Sequence, residues 1–215
     1  SIRRYVIIGS GAAGIAALES IRNADSAAEI VLLSEERHGY YSRPGLAYYL
    51  TGELNESQLF PFSPQDFKQL GAHPQQARVV RILPDQHVVE LRNGGHLSYD
   101  RLLIATGAAA AKVDVPGASL DGVVKLDNLD DARHISSRAR RRRVAVVVGG
   151  GITALEIVEG LVAKGVRTHY FLRRDRYWHN VLDEIESRIV EERLKEHGVQ
   201  LHYHTELQEI LAKKN

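Results

Sequence analysis

The chain has 215 residues, of which 44% are hydrophobic and 26% are charged, and its formal net charge is +1. That length and apolar content suit one large domain or two small ones, and the near-neutral charge argues against a nucleic-acid-binding protein. Because the sequence contains no cysteine, disulfides, iron–sulfur clusters, thiolate zinc sites and cysteine redox pairs are excluded within it.

The N-terminal sequence SIRRYVIIGSG enters a strand-like run at once, without the apolar core and cleavage site of a signal peptide. No apolar run approaches the ~20 residues that a membrane-spanning helix needs. The ten histidines show no metal-ligand spacing, so we predict no metal site. We expect a soluble, cytoplasmic protein that binds neither membranes nor nucleic acid.

The first predicted strand, at 5–8, leads through a glycine-rich turn into an apolar helical pattern, and a second strand follows at 29–33. Strand, helix and strand in about 30 residues form a βαβ unit, in which a G-x-G-x-x-G turn can hold a pyrophosphate at the helix N-terminus. The alternative is a glycine-bearing turn without a ligand. We predict a dinucleotide site at this turn, made by Gly9, Gly11, Ala13 and Gly14.

An acid about 20 residues beyond such a turn is expected to bind the ribose hydroxyls of the dinucleotide. Glu35 lies 21 residues past Gly14, and Glu36 follows it directly. A carboxylate accepts hydrogen bonds, as binding a diol requires. The sequence does not separate the two, and we predict that one binds ribose while its neighbour is solvated.

Shorter strands are predicted in the middle of the chain, at 77–82, 86–91, 96–99 and 101–105, separated by turn residues. The last of them ends at Thr106 and Gly107, which either close the cofactor site or form an ordinary strand-end turn. The segment 113–117 is typical of a crossover between domains. We therefore predict two domains, at 1–114 and 115–215.

The second domain repeats the pattern of the first, after a predicted helix that starts near Asp130 and ends at four consecutive arginines, 140–143. A strand at 144–148, a glycine turn, an apolar helix and a strand at 168–172 form another βαβ unit. We predict a second dinucleotide site at Gly149, Gly151 and Ala154, since alanine is tolerated at the third glycine position. The fold class is therefore α/β, with two Rossmann-like units.

The second return strand ends in arginines where an NAD-binding site would carry an acid. Arg173 and Arg174 lie 19 and 20 residues past Ala154, and Asp175 comes only after them. Arginine binds the 2′-phosphate of NADPH with charge-assisted hydrogen bonds, whereas an acid would repel it. The alternative is a solvated basic turn. We expect NADPH to be favoured over NADH, a helix to follow at 182–196, and His202 and His204 to form a surface pair on a strand.

Four ordered motifs resemble the pyridine nucleotide–disulfide oxidoreductase superfamily, whose members have two dinucleotide-binding domains. They are VIIGSGAAG, YDRLLIATGA, VPG at the crossover and VVVGGGITALE. The passage ERHGYYSRPGLAYYLTGE further resembles the branch that contains rubredoxin and ferredoxin reductases, NADH oxidases and the flavin domains of nitrite reductases. The resemblance covers nearly the whole chain and implies FAD and a pyridine nucleotide as cofactors.

The resemblance also implies roles for single residues. Arg43 would contact the FAD pyrophosphate or flavin edge, and Pro44 would lie against the flavin ring. The backbone of Val80 would meet the adenine, and Glu156, placed on the first turn of its helix, would lie near the nicotinamide amide. The alternative roles are an ordinary surface arginine for Arg43 and a helix-dipole partner for Glu156.

Two features depart from the family pattern. NADH oxidases and disulfide reductases place redox cysteines beside the flavin, and this chain has none, so its electrons would leave the flavin directly. The family's A-x-G-D motif and the return segment of its FAD domain are absent as well. We therefore expect this chain to be C-terminally truncated, and the family pattern allows a homodimer formed through segments that it lacks.

These inferences predict an FAD-dependent NAD(P)H oxidoreductase that needs no catalytic side chain. Hydride would pass from the nicotinamide to the flavin, and electrons would then pass to a rubredoxin- or ferredoxin-like protein or to a small acceptor. The alternative is a non-catalytic nucleotide-binding or redox-sensing module, or a fragment that is inactive on its own.

Overall fold

The computed structural model describes residues 2–212, so Ser1 and 213–215, at the outer ends of the two predicted domains, lie outside the described part. The chain divides into two compact units. The first contains the residues up to Arg43 together with Ser57–Ala108, and the second contains Pro44–Glu56 and the residues from Ala109 onward. The division predicted from the sequence, at 114/115, stays a prediction.

The first unit is built on a parallel sheet of four strands, which are β1 (Arg4–Ile8), β2 (Glu29–Ser34), β3 (Ala72–Gln76) and β7 (Arg101–Ile104). Their order in the sheet is β3-β2-β1-β7. Helix α1, Ala12–Ala24, connects β1 to β2 and completes the predicted βαβ unit.

Both faces of this sheet are covered at β1 and β2, which explains the continuous apolar runs in these two strands. On one face Ile7 and Leu32 pack with Leu18 of α1. On the other face Val6 and Leu33 pack with residues of an antiparallel sheet. That sheet has the strands β4 (Val79–Leu83), β5 (Val88–Leu91) and β6 (His96–Ser98).

The second unit is built on a parallel sheet of three strands, which are β8 (Val144–Val148), β9 (Arg167–Phe171) and β10 (Gln200–His202). Their order in the sheet is β10-β9-β8. The longer helices of this unit are α4 (Leu129–Arg138), α5 (Ile152–Ala163) and α6 (Glu184–Glu196). Tyr170 and Val147 are buried in the core of the unit, together with Val158 and Leu161 of α5.

Two short helices and two 3-10 turns complete the described elements. Helix α2, Gly45–Thr51, belongs to the second unit and packs closely on α5, where a Cβ added at Gly160 would lie 2.6 Å from the Cβ of Leu50. Helix α3 spans Pro64–Gln69, and the 3-10 turns span Glu56–Leu59 and Pro84–Gln86. No helix among residues 2–212 is both long and apolar enough to cross a membrane.

The predicted α/β class with two Rossmann-like units is confirmed, but several bounds differ. The strand predicted at 77–82 lies at Val79–Leu83, and the strand predicted at 86–91 begins only at Val88 because a 3-10 turn precedes it. Strand β3 was not predicted, since its sequence AHPQQ has only one buried residue and contains a proline. As an edge strand it pairs with β2 alone, and an edge is where a sheet accepts proline.

The two histidines near the end of the described chain were also placed wrongly. Only His202 lies on a strand, whereas His204 follows it in a left-handed conformation with φ +51°. His202 does not pair with His204. Its Nε2 lies 2.9 Å from Nδ1 of His169 on the neighbouring strand β9.

Candidate functional site

The first glycine turn joins β1 to α1, and the space around the backbone differs from one of its glycines to the next. Gly9 has φ +113°, and a Cβ there would lie 2.1 Å from the carbonyl oxygen of Ala105. A Cβ on Gly14 would lie 2.0 Å from the carbonyl oxygen of Gly9. By contrast, a Cβ on Gly11 would meet no atom within 4 Å. Two glycines are therefore required by packing, while Gly11 leaves open space beside the turn.

The N-terminus of α1 is available to an anion. Gly11 is its N-cap residue and offers no side chain, and no acid lies in the first turn. The first backbone N–H groups of a helix have no partner within it and carry a partial positive charge. Ala13 is exposed in this turn. The open approach at Gly11 and the uncapped N–H groups together fit a pyrophosphate.

The two candidate ribose acids have different surroundings. Glu35 is 61% exposed and forms an ion pair of 2.8 Å with Arg78. Glu36 is 22% exposed, accepts a hydrogen bond of 2.6 Å from the hydroxyl of Tyr41 and pairs with Arg43. Only Glu36 lines the cavity described next.

An open cavity of about 860 Å³ lies within the first unit, at the carboxyl ends of β1 and β2. Ser10 of the glycine turn and Glu36 both line this cavity, so the turn and one of the two acids border the same ligand-sized space. Ligands of open parallel sheets bind at this edge, and the volume lies within the usual range of ligand pockets. The sequence pattern missed its aromatic wall, which is formed by Tyr40, Phe60, Phe62 and Phe67.

The other residues predicted for the first site are less closely grouped. The backbone N of Thr106 lies 3.1 Å from the position of a Cβ on Gly9, so it adjoins the turn, and Gly107 follows with φ +65°. Val80 is 55% exposed at a register shift in β4 and does not line the cavity. Pro44 is the N-cap residue of α2, in the second unit.

The second glycine turn joins β8 to α5 and shares the main properties of the first. Gly149 has φ +149°, and a Cβ there would lie 3.1 Å from the Cβ of Ala154, which is itself buried. Gly151 caps α5 without a side chain, and no acid lies in the first turn of that helix. A Cβ on Gly150 would meet nothing within 4 Å. This turn also leaves an open approach to free helical N–H groups.

Glu156 is the fifth residue of α5, one turn further along than the sequence pattern placed it. Burial is the main cause that raises the pKa of this carboxyl above its usual value, and the nearby carboxylate of Glu159 raises it further. Glu156 is therefore not a first-turn partner of the helix dipole. The structure describes no contact that tests its predicted role near a nicotinamide.

The arginines after β9 are exposed at the end of the strand. Arg173 is 75% exposed and lies 3.4 Å from Glu206, whereas Asp175 is directed to Arg176 at 3.5 Å. Arg174 is exposed as well, and its carbonyl accepts a hydrogen bond of 3.1 Å from the backbone N–H of His204. Leu172, which precedes them, is only 1% exposed. The loop thus presents basic side chains to solvent at the position where a dinucleotide site carries the side chain that binds the ribose.

The indole of Trp178 reaches the second glycine turn, and no sequence pattern pointed to it. Its Nε1 lies 3.9 Å from the position of a Cβ on Gly151. Trp178 stands in the loop after β9, 27 residues beyond Gly151, so only the fold brings them together. Among residues 2–212 no three side chains of histidine, aspartate or glutamate gather as a metal site.

A family model described as pyridine nucleotide-disulphide oxidoreductase matches residues 3–215. A rubredoxin-NAD(+) reductase of Pseudomonas putida is 31% identical over 90% of this chain and 51% of its own length. The solved structure of a ferredoxin reductase from Rhodopseudomonas palustris is 29% identical with a TM-score of 0.92, covering 98% of this chain and 52% of that one. The chain therefore spans about half the length of the curated relatives it matches.

A third relative bears on cofactor choice. It is an engineered water-forming NADPH oxidase, solved with NADPH and derived from an oxidase of Lactobacillus brevis that has been solved with NADH. It is 26% identical to this chain with a TM-score of 0.86, and covers 96% of this chain and 47% of that one. Its five substitutions include the removal of an aspartate and the introduction of two arginines.

Proposed function

The chain belongs to the pyridine nucleotide-disulphide oxidoreductase family, and from this membership we propose that it carries the FAD site and the nicotinamide-nucleotide site of an FAD-dependent NAD(P)H oxidoreductase. The first unit binds FAD and the second binds the pyridine nucleotide. Because the sequence has no cysteine, electrons leave the flavin without a thiol relay.

The observation that best supports this function is that the two open glycine turns are accompanied by side chains of opposite charge. Gly11 and Gly150 each leave room for a phosphate to approach the backbone. Glu36, beside the first turn, suits a ribose diol, whereas Arg173 and Arg174 follow the return strand of the second unit. This arrangement fits one dinucleotide with a free ribose and one with a phosphorylated ribose.

At the FAD site, we assign the pyrophosphate to Gly9, Gly11, Ala13 and Gly14, and the ribose to Glu36 rather than Glu35. Glu36 lines the cavity and is held by Tyr41, whereas Glu35 is solvated and paired with Arg78. Arg43 pairs with Glu36, and we assign its guanidinium to the FAD phosphate. The same proposal keeps Pro44, Val80, Thr106 and Gly107 as further FAD contacts.

At the second site, Gly149, Gly151 and Ala154 form the turn, Glu156 meets the nicotinamide amide, and Arg173 and Arg174 bind a 2′-phosphate. NADPH is then favoured over NADH. Two facts support this preference. Asp175, which follows the two arginines in the sequence, is directed to Arg176 and not to them, and the relative solved with NADPH has substitutions that remove an aspartate and introduce arginines.

The chemistry that these cofactors supply is hydride transfer from nicotinamide C4 to flavin N5, followed by release of electrons to an acceptor. The chain's own residues bind and orient the two nucleotides, and no side chain acts as acid, base or nucleophile. Relatives are named for rubredoxin and for ferredoxin, so a small redox protein of that kind is the proposed acceptor. A cytoplasmic location and a homodimer belong to the same proposal.

The test is the colour of the full-length protein. We expect a yellow protein whose flavin absorbance is bleached by NADPH under anaerobic conditions and restored by an oxidised rubredoxin or ferredoxin. A colourless protein that does not take up added FAD would instead support the non-catalytic module. A flavin that no nicotinamide nucleotide bleaches would contradict the oxidoreductase directly.

The first variant to test carries Arg173→Ala together with Arg174→Ala. Loss of charge-assisted bonds to the 2′-phosphate should weaken NADPH binding about tenfold or more and leave NADH binding nearly unchanged. The measurement is the concentration of each nucleotide that half-bleaches the flavin. Arg140→Ala with Arg141→Ala removes the same charge from the same unit and serves as the control. An NADPH/NADH ratio that changes equally in both double variants would sink the assignment.

A further inference from the structure

The side chain of Trp178 lies beside the second glycine turn. Its indole Nε1 is 3.9 Å from the position of a Cβ on Gly151, the N-cap residue of α5. It is the single tryptophan of the chain. A partly buried aromatic ring therefore stands next to the free N–H groups at the start of this helix.

No described residue accepts a hydrogen bond from the indole N–H. Trp178 is only partly buried, so this donor is open to solvent and to a ligand. The backbone polar groups of the preceding residue, Tyr177, are both paired. The N–H of Tyr177 donates to Glu191 over 2.7 Å, and the hydroxyl of Ser187 donates to the carbonyl of Tyr177 over 2.7 Å. An unused donor thus stands where an anion would approach the turn.

The backbone of Trp178 is held in an unusual conformation. Its φ is +47°, in the left-handed region that bulky side chains rarely adopt. Two buried hydrogen bonds from α6 fix the preceding residue, and the carbonyl of Trp178 accepts from the N–H groups of Val181 and Leu182, each over 2.9 Å. Such strain persists only where the surroundings impose it, and it is concentrated at functional sites.

We propose that the Nε1–H of Trp178 donates a hydrogen bond to the pyrophosphate of the dinucleotide bound at the second glycine turn. The inference rests on the proposed function and adds a binding residue that the glycine fingerprint does not contain. The rigid loop holds the indole in place before the ligand arrives, so little side-chain freedom is lost on binding. The N–H groups of α5 and the indole then contact the phosphates from two sides.

The test compares wild type with Trp178→Phe, which keeps an aromatic ring but removes the N–H. Binding of NADP⁺ and of adenosine 2′-monophosphate is measured by calorimetry. Loss of a hydrogen bond to a charged group should weaken NADP⁺ binding about tenfold. Adenosine 2′-monophosphate has no pyrophosphate, so its affinity should not change. Ser137→Ala removes a donor that serves only the carbonyl of His134 in α4 and is the control, with unchanged NADP⁺ binding expected.

The possible outcomes distinguish the proposed function from the proposed role of Trp178. A wild-type chain that binds neither nucleotide overturns the proposed function and this inference with it. Wild-type binding that Trp178→Phe leaves unchanged overturns the inference alone. Equal weakening of both ligands also overturns it, because the indole would then contact the adenosine and not the pyrophosphate.

The single tryptophan gives a second, independent readout. NADP⁺ does not absorb where tryptophan emits, so energy transfer to the nicotinamide cannot account for quenching of the emission. We expect saturable quenching by NADP⁺ at the concentrations that calorimetry shows to bind. Emission that stays constant while calorimetry records full binding would contradict a contact with Trp178.

Discussion

Glu156 lies partly buried on α5, where burial and neighbouring Glu159 raise its pKa above the ordinary value of 4.5. The folded protein therefore holds this proton more tightly than the unfolded chain, so the carboxyl stabilises the fold while it is protonated. That contribution is fully present below pH 4.5 and is lost as the pH rises through the raised pKa. Glu156→Gln should raise the melting temperature at neutral pH and change it little below the ordinary pKa.

Circular dichroism melts at neutral and at acid pH measure this difference. Glu192→Gln makes the same chemical change at an exposed position of α6 and should shift neither melting temperature. A gain that is equal at both pH values would mean that the substitution acts through packing and not through the charge of Glu156.

At the scale of single residues, the glycine fingerprint predicted the turns because its spacing encodes backbone geometry directly. It could not choose between Glu35 and Glu36, since adjacent residues after a strand point in different directions and only the fold decides which one faces the cavity. Trp178 could not be found at all, because a loop from elsewhere in the chain carries it to Gly151.

At the scale of elements, α2 and α5 approach so closely that glycine is required between them. A Cβ on Gly160 would lie 2.6 Å from the Cβ of Leu50 and 3.3 Å from its carbonyl carbon. Overpacking of this kind costs about 1–3 kcal/mol. It should outweigh the roughly 1 kcal/mol by which alanine favours a helix over glycine. Gly160→Ala should therefore lower the free energy of unfolding, measured by urea titration.

Ser137→Ala, at an exposed position of α4 in the same unit, tests helix propensity without the close approach. It should be neutral or slightly stabilising. If Gly160→Ala proves as harmless as Ser137→Ala, the two helices can separate at little cost and the tight packing of α2 on α5 is not required.

Strong periodic elements were predicted well and weak ones were not. The bounds of β8 were predicted at 144–148 without error, because five consecutive branched or small apolar residues favour a strand, although Val144, Val146 and Val148 are exposed on one face of it. Strand β3 was missed because its stability comes from pairing with β2, which is a tertiary effect that its own polar sequence does not show.

At the scale of the whole molecule, each glycine turn makes its close contacts inside its own unit. The two sites should therefore respond separately. Gly11→Ala should weaken FAD binding about tenfold or more and leave NADP⁺ binding unchanged, and Gly151→Ala should do the reverse. Both substitutions remain in allowed backbone regions, since φ is −78° at Gly11 and −118° at Gly151. Titration of each variant with both nucleotides measures the four affinities.

Gly9→Ala separates folding from binding in the same experiment. With φ +113° and a carbonyl oxygen 2.1 Å from the new Cβ, it should disrupt the first unit itself. Thermal unfolding should therefore change for Gly9→Ala and not for Gly11→Ala. If Gly11→Ala keeps the wild-type affinity for FAD, the pyrophosphate does not lie at this turn.

The architecture as a whole was predictable because the chain repeats one βαβ pattern, and two copies at fitting spacing constrain the fold far more than one. The grouping of α2 with the second unit was not predictable, since it rests on packing between segments about 100 residues apart in sequence. Local patterns predict elements, but the assembly of distant segments depends on shapes that only the folded chain displays.

The burial of Leu172 limits how the proposed nucleotide preference could be redesigned. An acid at that position would be placed in the core, where an uncompensated charge costs ~3–5 kcal/mol, so Leu172→Glu would damage the fold before it altered selectivity. Arg173, which is 75% exposed, accepts any side chain without that penalty. A change of the proposed preference from NADPH to NADH is therefore better sought by substitution of exposed Arg173 than at the last buried residue of the strand.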